Sequence, residues 1–576
     1  MTPGATDTAA VGQPLHYTLS RLGTGQGVGW FSCLPEGEPS LIDILPELQK
    51  RGNDQFLREY ALEQLKKLKP DAVLDLLESF GKRYPFLRGL IQEAALLSEE
   101  LASLRNRLTQ KDHEKDSPAS PLIYIRWSRA ARHEMNDEWL RIFSENMIWH
   151  KPLPAPEETG LLIPYAAETI AQWYNTRVSL QEIPRKVNRI GGTRQSLPMK
   201  EVVGQVRKRL ELLGILRGWE SRTEATVSPY AVERPWNLDV TVTQGQHNWK
   251  LEGELVSYGR GLTIHQARIS CLMEIAERYS AFCRAQEEAL PGYQGEPRLI
   301  QGTATDLKRS QRVVDPNQFL LEVPYEDQEL YWIAGEMADP EEGYSPVLIP
   351  AQLVFLFANF DEVSLTSGLP STGLGAGTSM EEARLSGLLE VIERDAEKVV
   401  PYREEKRFLL HADNPKISDT LAGMQEKGIQ IQFLDLTQEF GIPCYKAFIQ
   451  GPGGVILKGT SANLDGKRAV VSAMTEIPYP YPYWFGSTAP PEGIQTVTET
   501  ELPSLSTGDP AQDLRILERV LLRNGYHPIY VDLTREELEI PVVKVLVPGL
   551  EMTTVLDRFS PLSLRKFAHY AGAAFQ

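Results

Sequence analysis

Between about residues 40 and 110, apolar positions recur every three to four residues, as in DQFLREYALEQLKKL, DAVLDLLESF and FLRGLIQEAALLSEELASLRNRL. That spacing predicts amphipathic helices. The polar stretch QKDHEKDSPASP breaks the pattern at about 110 to 121. A mostly helical pattern then resumes to about Trp219. Its last part, SLQEIPRKVNRI followed by a turn and MKEVVGQVRKRLELLGILRGW, reads as a helix pair, with a helix-turn-helix or winged-helix unit as the alternative. Beyond ESRTEATVSPYAVERPW the period changes. Short β-rich runs (LDVTVTQ, LYWIAGEM, QIQFLDL, CYKAFIQ, VVKVLVPG) alternate with helical segments, which predicts an α/β or α+β domain. The expected organisation is therefore a helical region over 1–120, a helical, winged-helix-like region over 121–230, and a mixed α/β domain over 235–576. GSTAPPEGIQTVTETELPSLS, at 486–506, reads as a surface loop, and YPYPYWFG as a packed loop or an interaction surface.

Length and composition agree with that division. A chain of 576 residues exceeds one ordinary core, and 42% hydrophobic with 24% charged residues is a globular balance. The N-terminus has no basic start followed by an apolar run, and no stretch is long and apolar enough to span a bilayer. Cys33, Cys271, Cys283 and Cys444 form no C-x-x-C pair, which argues for a reducing compartment, and a cytoplasmic location is expected. The net charge of −17 makes nucleic acid an unexpected partner.

The α/β segment contains an internal repeat. GRGLTIHQARISCLMEIAER (259–278) and GAGTSMEEARLSGLLEVIER (375–394) align without a gap. Gly259, Gly261, Ala267, Arg268, Ser270, Leu272, Glu274, Glu277 and Arg278 coincide with Gly375, Gly377, Ala383, Arg384, Ser386, Leu388, Glu390, Glu393 and Arg394. A fainter third copy, AVVSAMTE, keeps Ala469, Ser472 and Glu476 and stops before Pro478. The pattern predicts pseudo-repeated units of strand, Gly-rich turn and helix. Thr263 with Gln266, and Ser379 with Glu382, have capping-box spacing, and helix starts of this kind suit phosphate.

At about 100° per residue, Ser270, Glu274 and Glu277 fall within about 60° of one another, as do Ser386, Glu390 and Glu393. Facing helices would bring four carboxylates together, a costly arrangement unless cations neutralise it. Oxygen ligands without His or thiolate select magnesium, and Arg278 or Arg394 would suit a phosphate. A single Glu-x-x-Glu-Arg is more often a solvated ion-pair face. Two collinear copies with apolar flanks, LMEIAERY and LLEVIERD, reverse that balance. The loop STGLGAGTS is not a Walker A sequence, and Glu382 is open between cap and ligand.

From about residue 235 onward the chain resembles the YcaO family. The carrying segments are GRGLTIHQARISCLMEIAERYSA, STGLGAGTSMEEARLSGLLEVIERDA and HPIYVDLTREELEIPVVKVLVPGLE. The resemblance implies an ATP- and Mg2+-dependent fold that phosphorylates a peptide-bond amide oxygen. Attack at the amide carbon by a Cys, Ser or Thr side chain then gives an azoline, and attack by a sulfide source gives a thioamide. It implies Glu274, Glu277, Glu390 and Glu393 as magnesium ligands, and Ser270, Arg394, Glu382 and His265 as nucleotide contacts. A peptide or protein substrate, a leader-binding or sulfur-donating partner and a homodimer are implied in the same way. Three features depart from the family pattern. TEIPYPYPYW lacks the Arg that follows the third-region glutamate, here Glu476, and Thr378 stands where some members have Asn. The chain ends HYAGAAFQ instead of a Pro-rich tail, which favours thioamidation over azoline formation as the expectation. The alternatives are a non-catalytic nucleotide-binding scaffold, and a magnesium-dependent hydrolase or ligase acting on a small molecule. Retention of both carboxylate stripes favours the enzyme. His265 and His411 carry no signal of a general base.

Overall fold

The computed structural model describes residues 15–22, 30–105, 107–108, 122–129, 133–183, 198–223, 227–244, 247–341, 343–367, 371–478, 486–552, 556 and 559–574. Among these, three sheets and the helices packed on them form a mixed α/β fold. No described helix is long and apolar enough to cross a membrane.

The first sheet is built on a long antiparallel hairpin, Tyr230–Gln244 with His247–Gly261. The expected division at residue 235 falls inside the first of these strands. Among its described residues, the region read as helical over 1–120 includes two strands, Leu15–Leu22 and Trp30–Pro35. Leu15–Leu22 joins the sheet by pairing parallel with His247–Gly261. The helices expected after residue 40 follow as Leu41–Lys50, Gln55–Lys66, Pro70–Phe80 and Phe86–Leu97, and share a separate apolar cluster.

The second sheet runs Leu374–Ala376, Val542–Leu546, Ile529–Asp532, Leu330–Asp339, Ile300–Gly302, with Gly343–Pro350 paired to Leu330–Asp339. The third runs Ile456–Ala462, Cys444–Gln450, Gln432–Asp435, Arg407–His411, Gln495–Thr498. Its last strand comes from the segment read as a surface loop. Gln495–Thr498 pairs parallel with Arg407–His411, so backbone pairing at an edge organises a stretch whose Pro and Gly content masks it. Of the helix pair read at about 180 to 219, Met199–Leu212 is a helix, and residues 184–197 lie outside the described residues. Most of YPYPYWFG lies outside them too.

Candidate nucleotide and magnesium site

Both repeat copies form the same local structure. Thr263, at φ −139°, caps the helix Ile264–Ala281 by accepting from the Gln266 amide at 3.2 Å. Ser379, at φ −141°, caps Met380–Val399 by accepting from the Glu382 amide at 3.3 Å. We call these the first and second carboxylate helices. Each lies tight against the strand before it. A Cβ on Gly259 would stand 2.0 Å from the Ala267 carbonyl oxygen, and one on Gly375 would stand 2.2 Å from that of Ala383. The glycines are therefore required by close approach. The third copy is the shorter helix Gly466–Thr475, which places Glu476 at its C-terminal cap.

The short strand Leu374–Ala376 brings the two helices' carboxylates together. The Gly373 amide donates to Glu390 Oε2 at 3.0 Å, and the Ala376 amide donates to Glu277 Oε1 at 2.9 Å. Gly373 takes φ +83° with Val545 packed where its Cβ would be, so the backbone turn that aims this amide belongs to glycine. Glu274 accepts from the Tyr258 amide at 3.3 Å and lies 3.8 Å from Arg278. Arg394 sits within 3.9 Å of Glu390, 3.5 Å of Glu393 and 3.5 Å of Glu397.

Negative charge is in excess here. Burial, with the neighbouring Glu390 charge added, pushes Glu277 up to about 8. Burial drives Glu393 well above the usual carboxylate range; Arg394 opposes the shift while Glu476, Glu390 and Glu397 reinforce it. Glu476 rises to about 7, through burial opposed by Arg394 and Arg260. Glu274 also rises by burial, opposed chiefly by Arg278. Carboxylates that hold protons this tightly are short of positive charge, and hard oxygen donors suit Mg2+. Among the described residues, however, no three His, Cys, Asp or Glu side chains stand as a preformed metal cage. The fit to Mg2+ is therefore one of donor chemistry and charge.

The predicted nucleotide contacts fall into two groups. Ser270 is exposed on the first carboxylate helix, and His265 lies in its first turn with Nδ1 buried and unpartnered. Arg278 and Arg394 stand among the carboxylates. Glu382 instead accepts from the Thr378 amide at 2.8 Å and the Thr378 hydroxyl at 2.6 Å, so its carboxylate braces the turn before its own helix. His411 lies away from this cluster, at the end of a strand of the third sheet.

Three charged neighbours went unread. Glu397 continues the stripe one turn beyond Glu393, pairs with Lys458, and accepts from the Thr460 hydroxyl at 2.5 Å. Burial opposes its ionisation, yet Lys458, Arg394 and Lys446 outweigh that and hold it below the usual range. Lys544 donates to the Thr372 carbonyl at 2.7 Å, and burial, opposed by the Glu390 charge, lowers it to about 8. Arg260 donates to the Glu476 carbonyl at 2.7 Å. The available signal was a lone lysine inside an apolar strand, VVKVLV, since buried charges need partners.

The family described as YcaO cyclodehydratase, ATP- and Mg2+-binding, matches residues 258–478 and 482–551. An uncharacterised protein of Methanothermobacter thermautotrophicus is 30% identical over 343 residues, which are 52% of this chain and 82% of that one. Among solved structures, a heterocyclase in complex with substrate and cofactor matches with a TM-score of 0.50 at 18% identity, over 70% of this chain and 60% of its own. YcaO from Methanopyrus kandleri, bound with AMPPCP and Mg2+, matches at 24% identity over 62% of this chain and 91% of its own, with a TM-score of 0.44. With half of its length matched and the carboxylate helices inside the matched region, the chain belongs to the YcaO family, described as ATP- and Mg2+-binding cyclodehydratases.

Proposed function

We propose that this chain activates a peptide-backbone amide for substitution at its carbon, with Glu274, Glu277, Glu390 and Glu393 holding Mg2+ and with Ser270, His265, Arg278, Arg394 and Glu382 on the nucleotide side. The observation that carries the reading is the convergence of one carboxylate from each helix on the amides of Gly373 and Ala376, inside a cluster short of positive charge. ATP supplies the phosphoryl group and Mg2+ neutralises its charge; the protein's part is to place both. Arg394 suits the charge that develops between the phosphates. Glu382 acts through the turn: by bracing Thr378 it sets the helix start that faces a phosphate.

The amide oxygen takes the γ-phosphoryl group as ADP leaves. A nucleophile adds to the amide carbon, and the C–O bond breaks to release phosphate. A Cys, Ser or Thr side chain of the substrate as nucleophile gives an azoline, a ring closed with net loss of water, in keeping with the family's description as cyclodehydratases. A sulfide source gives a thioamide. A leader-binding or sulfur-donating partner and a homodimer are compatible with either branch.

The test is calorimetric binding of a non-hydrolysable ATP analogue in Mg2+, on the wild type and on Glu390→Gln with Glu393→Gln. Binding by the wild type that is lost in the folded double variant is the expected result. Binding retained by the double variant would remove the magnesium assignment. Mass spectrometry of a modified peptide then separates the branches: loss of water marks an azoline, and exchange of oxygen for sulfur marks a thioamide.

A further inference from the structure

The second carboxylate helix has a back as well as a face. Asp395 follows Arg394 directly and projects about 140° around the axis from Glu390. It is fully buried, and it accepts from three groups elsewhere in the chain. The Arg565 guanidinium donates to it at 2.6 Å and the Glu551 amide at 2.7 Å, and the Gln438 side-chain amide completes the set. Arg565 belongs to the C-terminal helix, Leu564–Ala574. The same guanidinium holds Glu439 at 2.9 Å, and His569, one turn further on, holds Glu439 at 3.0 Å.

The opposite face of the C-terminal helix is apolar and is gripped by the region that precedes the α/β domain. Phe567 and Tyr570 pack edge-on against Trp139 at ring distances of 5.2 Å. The Tyr174 hydroxyl donates to the Ala568 carbonyl at 2.6 Å, and the Tyr570 hydroxyl to that of Pro154 at 2.8 Å. The C-terminal helix thus joins the N-terminal helical layer to the back of the helix that carries Glu390, Glu393 and Arg394.

We propose that Arg565, acting through Asp395, is a positioning residue of the magnesium–nucleotide site, an inference that rests on the reading of the second carboxylate helix given above. Apolar contacts alone hold a helix against sliding and rolling only loosely, because they have no direction. A guanidinium fork shared between Asp395 and Glu439 has a fixed direction and is desolvated, so it sets the roll of the helix. A roll of about 20° would move a carboxylate roughly 6 Å from the axis by about 2 Å, enough to spoil coordination. A buried ion pair is a weak source of net stability compared with an apolar pair of similar volume, so its value here lies in geometry.

The experiment titrates Mg2+ into the full chain with a non-hydrolysable ATP analogue and compares five proteins. They are the wild type, Arg565→Lys, Arg565→Met, the neutral pair Asp395→Asn with Arg565→Gln, and Tyr570→Phe. Arg565→Met and the neutral pair should raise the Mg2+ concentration for half-saturation at least tenfold with circular dichroism unchanged. Arg565→Lys should lie between, since an ammonium cannot fork across two carboxylates. Tyr570→Phe, which loses only the contact to Pro154, should leave the Mg2+ requirement unchanged. An unaltered Mg2+ requirement in folded Arg565→Met or in the folded neutral pair would overturn the proposal, as would failure of both to fold, which would mark a purely structural pair. A wild type that binds no analogue would instead count against the proposed function.

Discussion

Gly375 and Gly423 give opposite forecasts for the same substitution. A Cβ at Gly375 would meet the Ala383 carbonyl at 2.2 Å and the Gly387 amide at 2.7 Å, both backbone atoms that cannot swing aside. Gly375→Ala should therefore part the strand from the second carboxylate helix, lowering the melting temperature and weakening nucleotide binding together. Gly423 lies in the helix Pro415–Glu426 with nothing within 4 Å of its Cβ position, so Gly423→Ala should stabilise by about 0.4–1 kcal/mol. Denaturant midpoints of the two variants measure both effects. His150 supplies the pH dependence. It is buried, stacked on Tyr402 at 4.3 Å, and lowered to about 2 by burial and by Lys446, Arg407 and Lys458. A depressed histidine contributes its stability fully above its unfolded value near 6.5 and loses it as pH falls. The loss amounts to about 1.4 kcal/mol per pH unit. The acid side of a stability–pH profile should be shallower in His150→Phe; an unchanged slope would show that other groups carry it.

The two carboxylate helices test capping at the scale of the element. Thr263→Ala and Ser379→Ala each remove the side-chain acceptor at a helix start and should cost about 1 kcal/mol. Ser379→Ala should also weaken nucleotide binding, because Glu382 would have to hold that turn alone through Thr378. The sequence pattern exposed these elements because Gly, cap, helix and carboxylate stripe recur at one spacing, and chance does not repeat such a string. It concealed Gln495–Thr498, whose pairing partner lies far away in sequence. It concealed Leu15–Leu22 for the same reason: a strand of eight residues is specified by what it pairs with as much as by its own residues.

At the scale of the whole molecule, a cut between the helical region and the α/β domain divides a sheet. Leu15–Leu22 pairs with His247–Gly261, and Phe56 packs edge-on to Trp249 at 5.1 Å. The fragments 1–230 and 235–576 should therefore fail to melt cooperatively when made separately, since each would expose an unpaired edge and a slice of core. Cooperative unfolding of either one alone, followed by circular dichroism, would contradict this. A leader peptide is better sought against the full chain.

The amino-acid sequence by itself determined the helices after residue 40, the mixed α/β texture of the later chain, the repeat, and the carboxylate stripes with Arg278 and Arg394. Each of these is written in residue spacing, which a helix or a short strand reads locally. Tertiary structure alone decided which amides hold Glu277 and Glu390, that Glu382 braces its own turn, that Glu397, Lys544 and Arg260 complete the charge pattern, and that Arg565 grips the back of the second carboxylate helix. Those facts depend on contacts between residues as much as 216 positions apart. Burial and partner geometry, which turn a charged residue into a ligand, a brace or an anchor, exist only once the chain has folded.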